Sequence, residues 1–429
     1  MRQGIKVDYV YSACVVISTP DCRILCDPWF TEGIYDGSWH HYPKVAHPIE
    51  KIGDCDAIYI SHIHPDHYDA TFIKQYFQTH GPKPLWIADH QPNHLRGKMR
   101  ADKLIAEILT EPKKIADTEI EIVPHRTGSV ADIDSALVVR YWDGRRQHVV
   151  ANVNDIVFDD EILQTLKERC PEIDILLLGY TGAGPYPQTY FDLDDPRLIS
   201  EANLKKQGFF SRYKKTVAAL NPKTTLPFAG KYVLGGKLAH LNSYRGVADA
   251  TEVLRFDPRA VVLADDDGSI DTVEYRPTQV RVEPYDSAAL EAYLKQIAGC
   301  ALDYERLISA EEIRQLPIKR LLSTAFANAR TKSEVAEDYY FAFHLPDGEV
   351  AVLNANRKSG DGMTVTNQEK LQQLVPRSEI RIDPRYLFGL LTNVYHWNNA
   401  EVGSQFYTRR FPATAFNRQA QSFLNFLAV

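Results

Sequence analysis

Ala57-Ile58-Tyr59-Ile60-Ser61-His62-Ile63-His64-Pro65-Asp66-His67 is the stretch that decides the fold of this chain. Its first five residues form an apolar run that is typical of a buried β-strand, and three imidazoles and one carboxylate follow directly. Residues two apart on an extended chain point to the same side, so His62 and His64 face one point. The turn that the proline introduces brings Asp66 and His67 towards a second point. This pattern favours two adjacent metal ions over a polar loop that is rich in histidine by chance.

The H-x-H-x-D-H string resembles the signature of the metallo-β-lactamase superfamily, which implies further ligands on later loops. His125 follows the strand-like stretch 120–124 and matches the third histidine of the first metal. Asp155 follows the strand-like stretch 148–154 and matches a carboxylate that bridges both metals. His240 is our choice for the last histidine, although each of these three residues could instead be an ordinary capping or surface residue. The predicted metal ligands are therefore His62, His64, Asp66, His67, His125, Asp155 and His240.

The length of 429 residues favours two domains over one core. Strands that alternate with helices, together with the resemblance, predict an αββα metallo-β-lactamase-like sandwich over residues 1–290. The alternation stops there, and a smaller α+β domain is predicted over residues 291–429. That domain could cover the mouth of the active site, supply a substrate contact or form a homo-oligomer interface, and its sequence does not choose among these.

The pattern of apolar residues also predicts individual elements. Residues 70–80 and 93–109 have helical spacing, whereas residues 173–178 form an apolar run that is typical of a strand. In the C-terminal part, two strands are expected on either side of the turn Pro346-Asp347-Gly348. Helices are expected at 384–395, opened by a proline, and at 415–427.

Composition narrows the function classes. The apolar content of 44% and charged content of 24% are those of a soluble globular protein. A net charge of −7 argues against bulk nucleic-acid binding, although local cations can still hold an anionic small molecule. No apolar stretch approaches the length of a membrane span, and the start shows no signal-peptide pattern. The six scattered cysteines are expected to be reduced, so a cytoplasmic protein is predicted.

A closer resemblance is to the cytidine monophosphate-N-acetylneuraminic acid hydroxylase family. It is carried by short strings along much of the chain, namely Asp27-Pro28-Trp29, the histidine string, 152–155, 179–190, 227–230 leading to His240, and 396–399 with Gly403 and Arg410. That family has a Rieske iron–sulfur domain with paired Cys-x-His and Cys-x-x-His ligands, which this sequence lacks. The resemblance implies a sugar or sugar-nucleotide substrate, and electron delivery from a separate protein if the reaction is an oxidation.

Two functions follow from these residues. The first is a dinuclear hydrolase that cleaves an amide, lactone or phosphoester bond, with Asp66 and Asp155 as its catalytic carboxylates. The second is a di-iron oxygenase, because imidazole and carboxylate ligands suit zinc, iron and manganese alike. A scaffold that only binds a ligand is a third, weaker reading. Candidates for holding an anionic substrate are His40, His41, Arg126, Tyr186, Lys231 and Arg410.

Overall fold

Two β-sheets face each other in the N-terminal part of the protein. The structure, a computed structural model, describes residues 3–129, 132–265 and 267–429. The strands up to residue 271 are, in chain order, β1 Lys6–Tyr11, β2 Cys14–Ser18, β3 Arg23–Cys26, β4 Trp39–His40, β5 Ala57–Tyr59, β6 Leu85–Ile87, β7 Ala106–Ile108, β8 Lys113–Ile115, β9 Thr118–Pro124, β10 Ser135–Trp142, β11 Gln147–Asn152, β12 Ile175–Gly179, β13 Thr224–Phe228, β14 Val233–Leu234 and β15 Ser269–Asp271.

The first sheet has the order β15-β1-β2-β3-β5-β6-β7, and the second has the order β13-β12-β11-β10-β9-β8. Alternate side chains of the two sheets meet in one apolar core, in which Val15 and Tyr59 of the first sheet lie with Leu137 and Leu177 of the second. The intervening residues point outward and are buried as well, as Ile58 is, because helices cover the outer faces.

The helices of this part are α1 Ile34–Gly37, which is a single turn with left-handed residues, α2 Pro48–Ile52, α3 Ala70–His80, α4 His94–Ala101, α5 Asp160–Arg169 and α6 Arg197–Leu220. Apolar residues of α3 and α4 pack on the first sheet, and those of α5 and α6 pack on the second. The predicted αββα arrangement is therefore confirmed.

Strand direction explains why polar loops gather at one edge. The pairs β3–β5 and β5–β6 are parallel, and so are β11–β12 and β12–β13. The carboxyl ends of parallel neighbours lie at the same edge of a sheet, where ligand-binding loops collect. The loops that follow β5 and β11 meet at that edge, as the contact between His67 and Asp155 shows.

The C-terminal part contains the helices α7 Ser287–Ile297, α8 Asp303–Leu307, α9 Ile318–Thr331, α10 Gln368–Leu371, α11 Pro384–Leu391, α12 Trp397–Val402 and α13 Arg418–Phe423. Its strands are β16 Tyr340–His344, β17 Val350–Asn354, β18 Thr364–Thr366, β19 Arg377–Ile382 and β20 Phe406–Phe411, in the sheet order β18-β17-β16-β19-β20. This content agrees with the expected α+β character. One apolar cluster joins Trp29 and Trp39 to this part, whose boundary near residue 290 stays a prediction.

Some expected elements are shorter than their sequence pattern. The helix expected at 93–109 ends at Ala101, since Lys103 has a left-handed backbone and residues 106–108 form β7 instead. The helix expected at 384–395 ends at Leu391, shortly before the left-handed Asn393. Among the described residues, no helix has both the length and the apolar character that spanning a membrane requires.

Candidate metal centre

The histidine loop, residues 61–67, follows β5 and is held by hydrogen bonds to Asp27. This carboxylate comes directly after β3, the parallel neighbour of β5, and its side chain is fully buried. Its Oδ1 accepts a hydrogen bond from the backbone N–H of Ser61 at 2.7 Å. Its Oδ2 accepts from the Ser61 hydroxyl at 2.8 Å and lies 3.0 Å from His67 Nδ1. The start of the loop is thus fixed to the sheet by a charged hydrogen-bond network.

These contacts assign the protons of two histidines. A carboxylate only accepts hydrogen bonds, so His67 Nδ1 must donate to Asp27, which leaves Nε2 of His67 as the ligand nitrogen. The single hydroxyl proton of Ser61 is already given to Asp27, so Ser61 Oγ accepts from His62 Nδ1 at 3.0 Å. His62 Nε2 therefore carries a lone pair. This arrangement, in which the second ring nitrogen donates to a partner, is typical of metal-binding histidines.

His62 and His64 direct nitrogens at one another. His62 Nε2 lies 2.8 Å from His64 Nδ1, with the two rings nearly perpendicular at 84°. The other nitrogen of His64, Nε2, lies 3.1 Å from Oδ1 of Asn398 on α12. The amide oxygen is an acceptor, so His64 Nε2 donates and its Nδ1 carries a lone pair. Two lone pairs that converge in this way fit a cation between them.

A second group forms around His67 Nε2. This nitrogen lies 3.4 Å from Asp66 Oδ2 and 3.4 Å from Asp155 Oδ2. Ligand atoms of His62, His67 and Asp155 all lie within 4.8 Å of one another. The other oxygen of Asp66 accepts a hydrogen bond of 2.6 Å from the Tyr35 hydroxyl, which orients the carboxylate. Imidazole and carboxylate donors at these separations fit a divalent cation.

The pKa values of the two buried histidines are shifted in opposite directions. Burial, together with His67 and His64, holds the pKa of His62 well below its usual value. Burial would also lower the pKa of His67, but Asp66, Asp155 and Asp27 outweigh it and raise the pKa well above its usual range. The carboxylates therefore stabilise positive charge beside His67 Nε2, where a metal cation would supply it.

The other two predicted ligands, His125 and His240, have contacts outside the histidine loop. His125 directly follows β9 and is buried, but its Nε2 lies 3.0 Å from Asp159 Oδ2, and it is not part of the group formed by His62, His67 and Asp155. His240 is an exposed residue of a 3₁₀ helix, with Nδ1 2.8 Å from Lys237 O and Nε2 3.3 Å from the Tyr407 hydroxyl. Both ring nitrogens of His240 are thus engaged outside the histidine loop.

Several residues at the site were not among the predicted ligands. Asp27 and Asn398 orient His67 and His64, and Tyr35 binds Asp66. Asp134 lies 3.9 Å from His62 Nδ1, and burial and the charge of Asp155 raise its pKa to about 6. Because Asp27 directly follows an apolar strand, the parallel neighbour of β5, strand pairing could have revealed it.

All six residues that we considered for an anionic substrate have partners within the protein. His40 and His41 both contact Glu32, and Lys231 is buried in an ion pair with Asp265. The remaining three also have partners: Tyr186 contacts Glu201, Arg126 lies near Asp89, and Arg410 lies over the Tyr190 ring. His40 and Lys231 are engaged in contacts that stabilise the fold and are therefore poor candidates for binding a substrate.

Comparison with known proteins shows what the N-terminal part is similar to. Residues 6–156 match the sequence model of the beta-lactamase superfamily domain. The matched segment contains β1 to β11, the histidine loop, His125 and Asp155, so it holds six of the seven predicted ligands.

Relatives of the superfamily domain are known by sequence and by structure. A Mycobacterium tuberculosis protein named as a Rieske 2Fe-2S iron-sulfur protein is 28% identical over 274 residues, which cover 61% of this chain and 49% of that protein. Cytidine monophosphate-N-acetylneuraminic acid hydroxylase of Cricetulus griseus is 24% identical over 241 residues, which cover 53% of this chain and 40% of the hydroxylase. The chain thus spans about half the length of the curated relatives it matches.

Two solved structures are also similar to this chain. Isothiocyanate hydrolase from Delia radicum gut bacteria has a TM-score of 0.42 at 15% identity, covering 62% of this chain and 98% of that one. The diiron beta-hydroxylase CmlA from Streptomyces venezuelae has a TM-score of 0.37 at 17% identity, covering 58% of this chain and 48% of that one.

Proposed function

We propose that this protein is a metal-dependent enzyme with a centre for two divalent cations. The observation that carries the proposal is the convergence of ring nitrogens whose opposite nitrogens are each held by a hydrogen bond. His62 Nε2 and His64 Nδ1 would hold one cation, with His125 as the further predicted ligand. Asp66, His67 Nε2 and Asp155 would hold the other. Zinc, iron and manganese all accept this donor set.

Hydrolysis of an amide, lactone or phosphoester bond is our first candidate reaction. When bound, two such cations lower the pKa of a shared water and polarise the bond that is cleaved. Asp155 has a side chain that is 44% exposed, so it can accept a proton from water at the open side of the site. Asp66 is oriented by Tyr35 and can return a proton to the leaving group. Hydrolysis consumes only water and needs no oxidant or electron donor.

A cleft beside Asp155 is where we place an anionic small-molecule substrate. It has a volume of about 220 Å³ and is lined by apolar residues of the 155–158 loop and of α6, together with Arg212 and Lys215. The Arg212 guanidinium lies 4.1 Å over the Phe209 ring, which keeps its charge at the cleft. Asn154 is buried there, and neither polar atom of its amide has a hydrogen-bond partner. These groups suit a ligand with an apolar body, a polar centre and an anionic group.

Hydroxylation is a second candidate, and the sequence relatives favour it. One of them is named as a hydroxylase of a sugar nucleotide and another as a Rieske iron-sulfur protein. This reaction inserts one oxygen atom of O₂ into a C–H bond and reduces the other to water with two electrons and two protons. It therefore needs iron and an electron-transfer partner, and its substrate would be a sugar nucleotide or a related anion.

Metal analysis combined with turnover under controlled oxygen tests the proposal. The protein, its His64→Ala variant and a control His47→Ala variant, which changes an exposed histidine, are purified without added metal and analysed for zinc, iron and manganese. We expect His64→Ala to lose metal and His47→Ala to keep it. Equal metal in all three proteins would contradict the proposed centre.

The reaction is then assigned with defined probes. Turnover of 4-nitrophenyl phosphate or 4-nitrophenyl acetate without oxygen, with zinc or manganese present, supports hydrolysis. Oxygen-dependent conversion of cytidine monophosphate-N-acetylneuraminic acid, with iron and a chemical reductant present, supports hydroxylation. An Arg212→Gln variant should raise KM for the anionic probes more than it changes kcat if the cleft binds them.

A further inference from the structure

The helix α12 reaches the histidine loop from the C-terminal part of the chain. Asn398, on its first turn, places its side-chain oxygen 3.1 Å from His64 Nε2, and the two residues are 334 positions apart in sequence. Both side chains are partly buried, so this hydrogen bond is shielded from water on one side. Asn398 is thus a point at which the C-terminal part contacts a predicted ligand of the histidine loop.

We propose that Asn398 is a positioning residue that completes the metal centre, an inference that rests on the proposed function. A neutral imidazole has one N–H group, and the amide oxygen of Asn398 requires it at Nε2 of His64. The lone pair is then fixed on Nδ1, the nitrogen that lies 2.8 Å from His62 Nε2. Without Asn398 the proton of His64 can move to Nδ1, where it would oppose a cation. The C-terminal part therefore selects the ligand form of His64.

Packing fixes the position of α12. Trp397 is 2% exposed, and its Nε1 donates to Leu427 O at 2.9 Å. The ring of His396 caps the helix by accepting from Asn398 N at 3.2 Å. At the other end, a Cβ on Gly403 would lie 2.9 Å from Ser38 Oγ and 3.1 Å from Tyr35 Cβ, so the helix approaches the N-terminal part as closely as glycine permits. The Asn398 side chain is consequently presented from a rigid support.

The three histidines of the loop are oriented by partners of different strength. Asp27, a buried carboxylate, orients His67, and Ser61, which is linked to the same carboxylate, orients His62. His64 has a neutral amide as its partner. A neutral acceptor increases the basicity of the ligand less than a carboxylate does, so the loss of Asn398 should weaken one cation site without abolishing it.

Cobalt(II) is a suitable probe, because its visible absorption reports the ligands around it. Metal-free wild type, Asn398→Ala, Asn398→Asp and Asn399→Ala are titrated with cobalt against a chelator. Asn399 is the matched control, since it is the next residue of α12 and has no hydrogen bond to a histidine among the described residues. We expect Asn398→Ala to weaken one of the two cobalt sites by about 10- to 100-fold. Asn398→Asp, which keeps an acceptor and makes it a carboxylate, should bind cobalt at least as tightly as wild type, and Asn399→Ala should stay near wild type.

A second readout needs no metal. In ¹⁵N-histidine-labelled, metal-free protein, long-range proton–nitrogen spectra distinguish a protonated ring nitrogen from an unprotonated one, and His64→Ala assigns the signals. We expect a protonated Nε2 and an unprotonated Nδ1 for His64 in wild type, and a mixture of the two tautomers in Asn398→Ala. Asn399→Ala should leave the wild-type tautomer unchanged.

The outcomes separate the two proposals. If His64→Ala loses a cobalt site while Asn398→Ala binds as wild type does, the role of Asn398 is overturned and the metal centre stands. If His64→Ala itself binds two cobalt ions normally, the proposed metal centre fails. Equal weakening by Asn398→Ala and Asn398→Asp, with a wild-type His64 tautomer in both, would mean that the residue only supports packing and would also overturn the inference.

Discussion

The histidine loop is held in contrasting ways on its two sides. On the side of the N-terminal sheet, Asp27, Ser61 and Ser135 form hydrogen bonds that are buried and include a carboxylate. On the side of the C-terminal part, the contact is the partly buried amide of Asn398. Charged and buried hydrogen bonds cost more to break than neutral and partly exposed ones. The hydrogen bonds on the side of the N-terminal sheet should therefore decide whether the site forms. The contact on the side of the C-terminal part should adjust how tightly the site binds metal.

The largest effect is expected for Asp27→Asn, which disrupts the hydrogen bonds on the side of the N-terminal sheet. The amide nitrogen would present a donor to the donors of His67 and Ser61, which now share Asp27 Oδ2. We expect a loss of about 3 kcal/mol in the free energy of unfolding, since donors would remain unpaired in a fully buried place. Metal affinity should fall at least about 10- to 100-fold, because His67 loses its orienting partner. Urea unfolding and cobalt titration measure the two effects.

Asp69→Asn is the matched control for that variant. Asp69 is also a buried carboxylate, but it accepts hydrogen bonds from Phe30 N, Thr31 and Phe72 N rather than from a histidine. It should lower the free energy of unfolding and leave cobalt affinity unchanged. If both variants lose metal equally, general destabilisation and not the Asp27–His67 hydrogen bond explains the loss.

A pH-dependent effect is expected where the N-terminal and C-terminal parts meet at Asp36. Burial raises the pKa of Asp36 to about 6, against a hydrogen bond of 2.6 Å from the Tyr386 hydroxyl that opposes the rise. The folded protein thus holds a proton that the unfolded chain, with a pKa near 3.9, releases between about pH 4 and 6. The contribution of Asp36 to stability is fully present below about pH 4 and is lost as pH rises through about 6.

Asp36→Asn should remove this loss. Two pKa units correspond to about 3 kcal/mol, so the variant should exceed wild type by up to about 3 kcal/mol at pH 7.5 and match it near pH 4. Asparagine also tolerates the left-handed backbone of this position, at φ 62°. Urea unfolding at both pH values measures the difference, with the exposed Asp361→Asn as control. An equal gain at pH 4 and pH 7.5 would show that the effect is not ionisation.

Ser61→Ala, also on the side of the N-terminal sheet, should have an intermediate effect on metal affinity and stability. It removes the acceptor of His62 Nδ1 and one of the hydrogen bonds to Asp27, but it leaves the carboxylate in place. We expect cobalt affinity to fall about tenfold and the free energy of unfolding to fall by about 1–2 kcal/mol. Ser61→Thr, which keeps the hydroxyl, is the control. An unchanged affinity in Ser61→Ala would imply that Ser61 does not fix the tautomer of His62.

Local features of the molecule could be predicted from the sequence, whereas contacts between distant residues could not. The αββα arrangement and the helix at 70–80 follow from apolar periodicity, which is a local property. The spacing of the histidine loop predicted that His62 and His64 face one point, as their nitrogens do. Asp27 and Asn398 lie in strings that carry the family resemblance, but their contacts with His67 and His64, 40 and 334 residues away, depend on strand pairing and helix packing, which no local pattern gives.

A local pattern says less about the last histidine of the predicted set. His240 was chosen by its order along the chain, yet the 3₁₀ turn that carries it directs its ring to Lys237 and Tyr407. Order along the chain does not specify which face of a turn a side chain occupies. The role of His240 as a ligand remains a prediction, which metal analysis of a His240→Ala variant would test directly.

The smallest effect is expected for Gln405→Ala, which removes a contact of the C-terminal part that does not involve a histidine. Gln405 Nε2 donates to Tyr35 O at 2.9 Å and to Asp36 O at 3.3 Å, and its side chain is buried. We expect a loss of about 1 kcal/mol in the free energy of unfolding, since the two neutral hydrogen bonds of one amide nitrogen are lost while the left-handed turn keeps its other contacts. Cobalt affinity should stay at the wild-type value, in contrast to Asn398→Ala. If Gln405→Ala weakens cobalt binding as much as Asn398→Ala does, docking of the whole C-terminal part, rather than the hydrogen bond to His64, controls the metal centre.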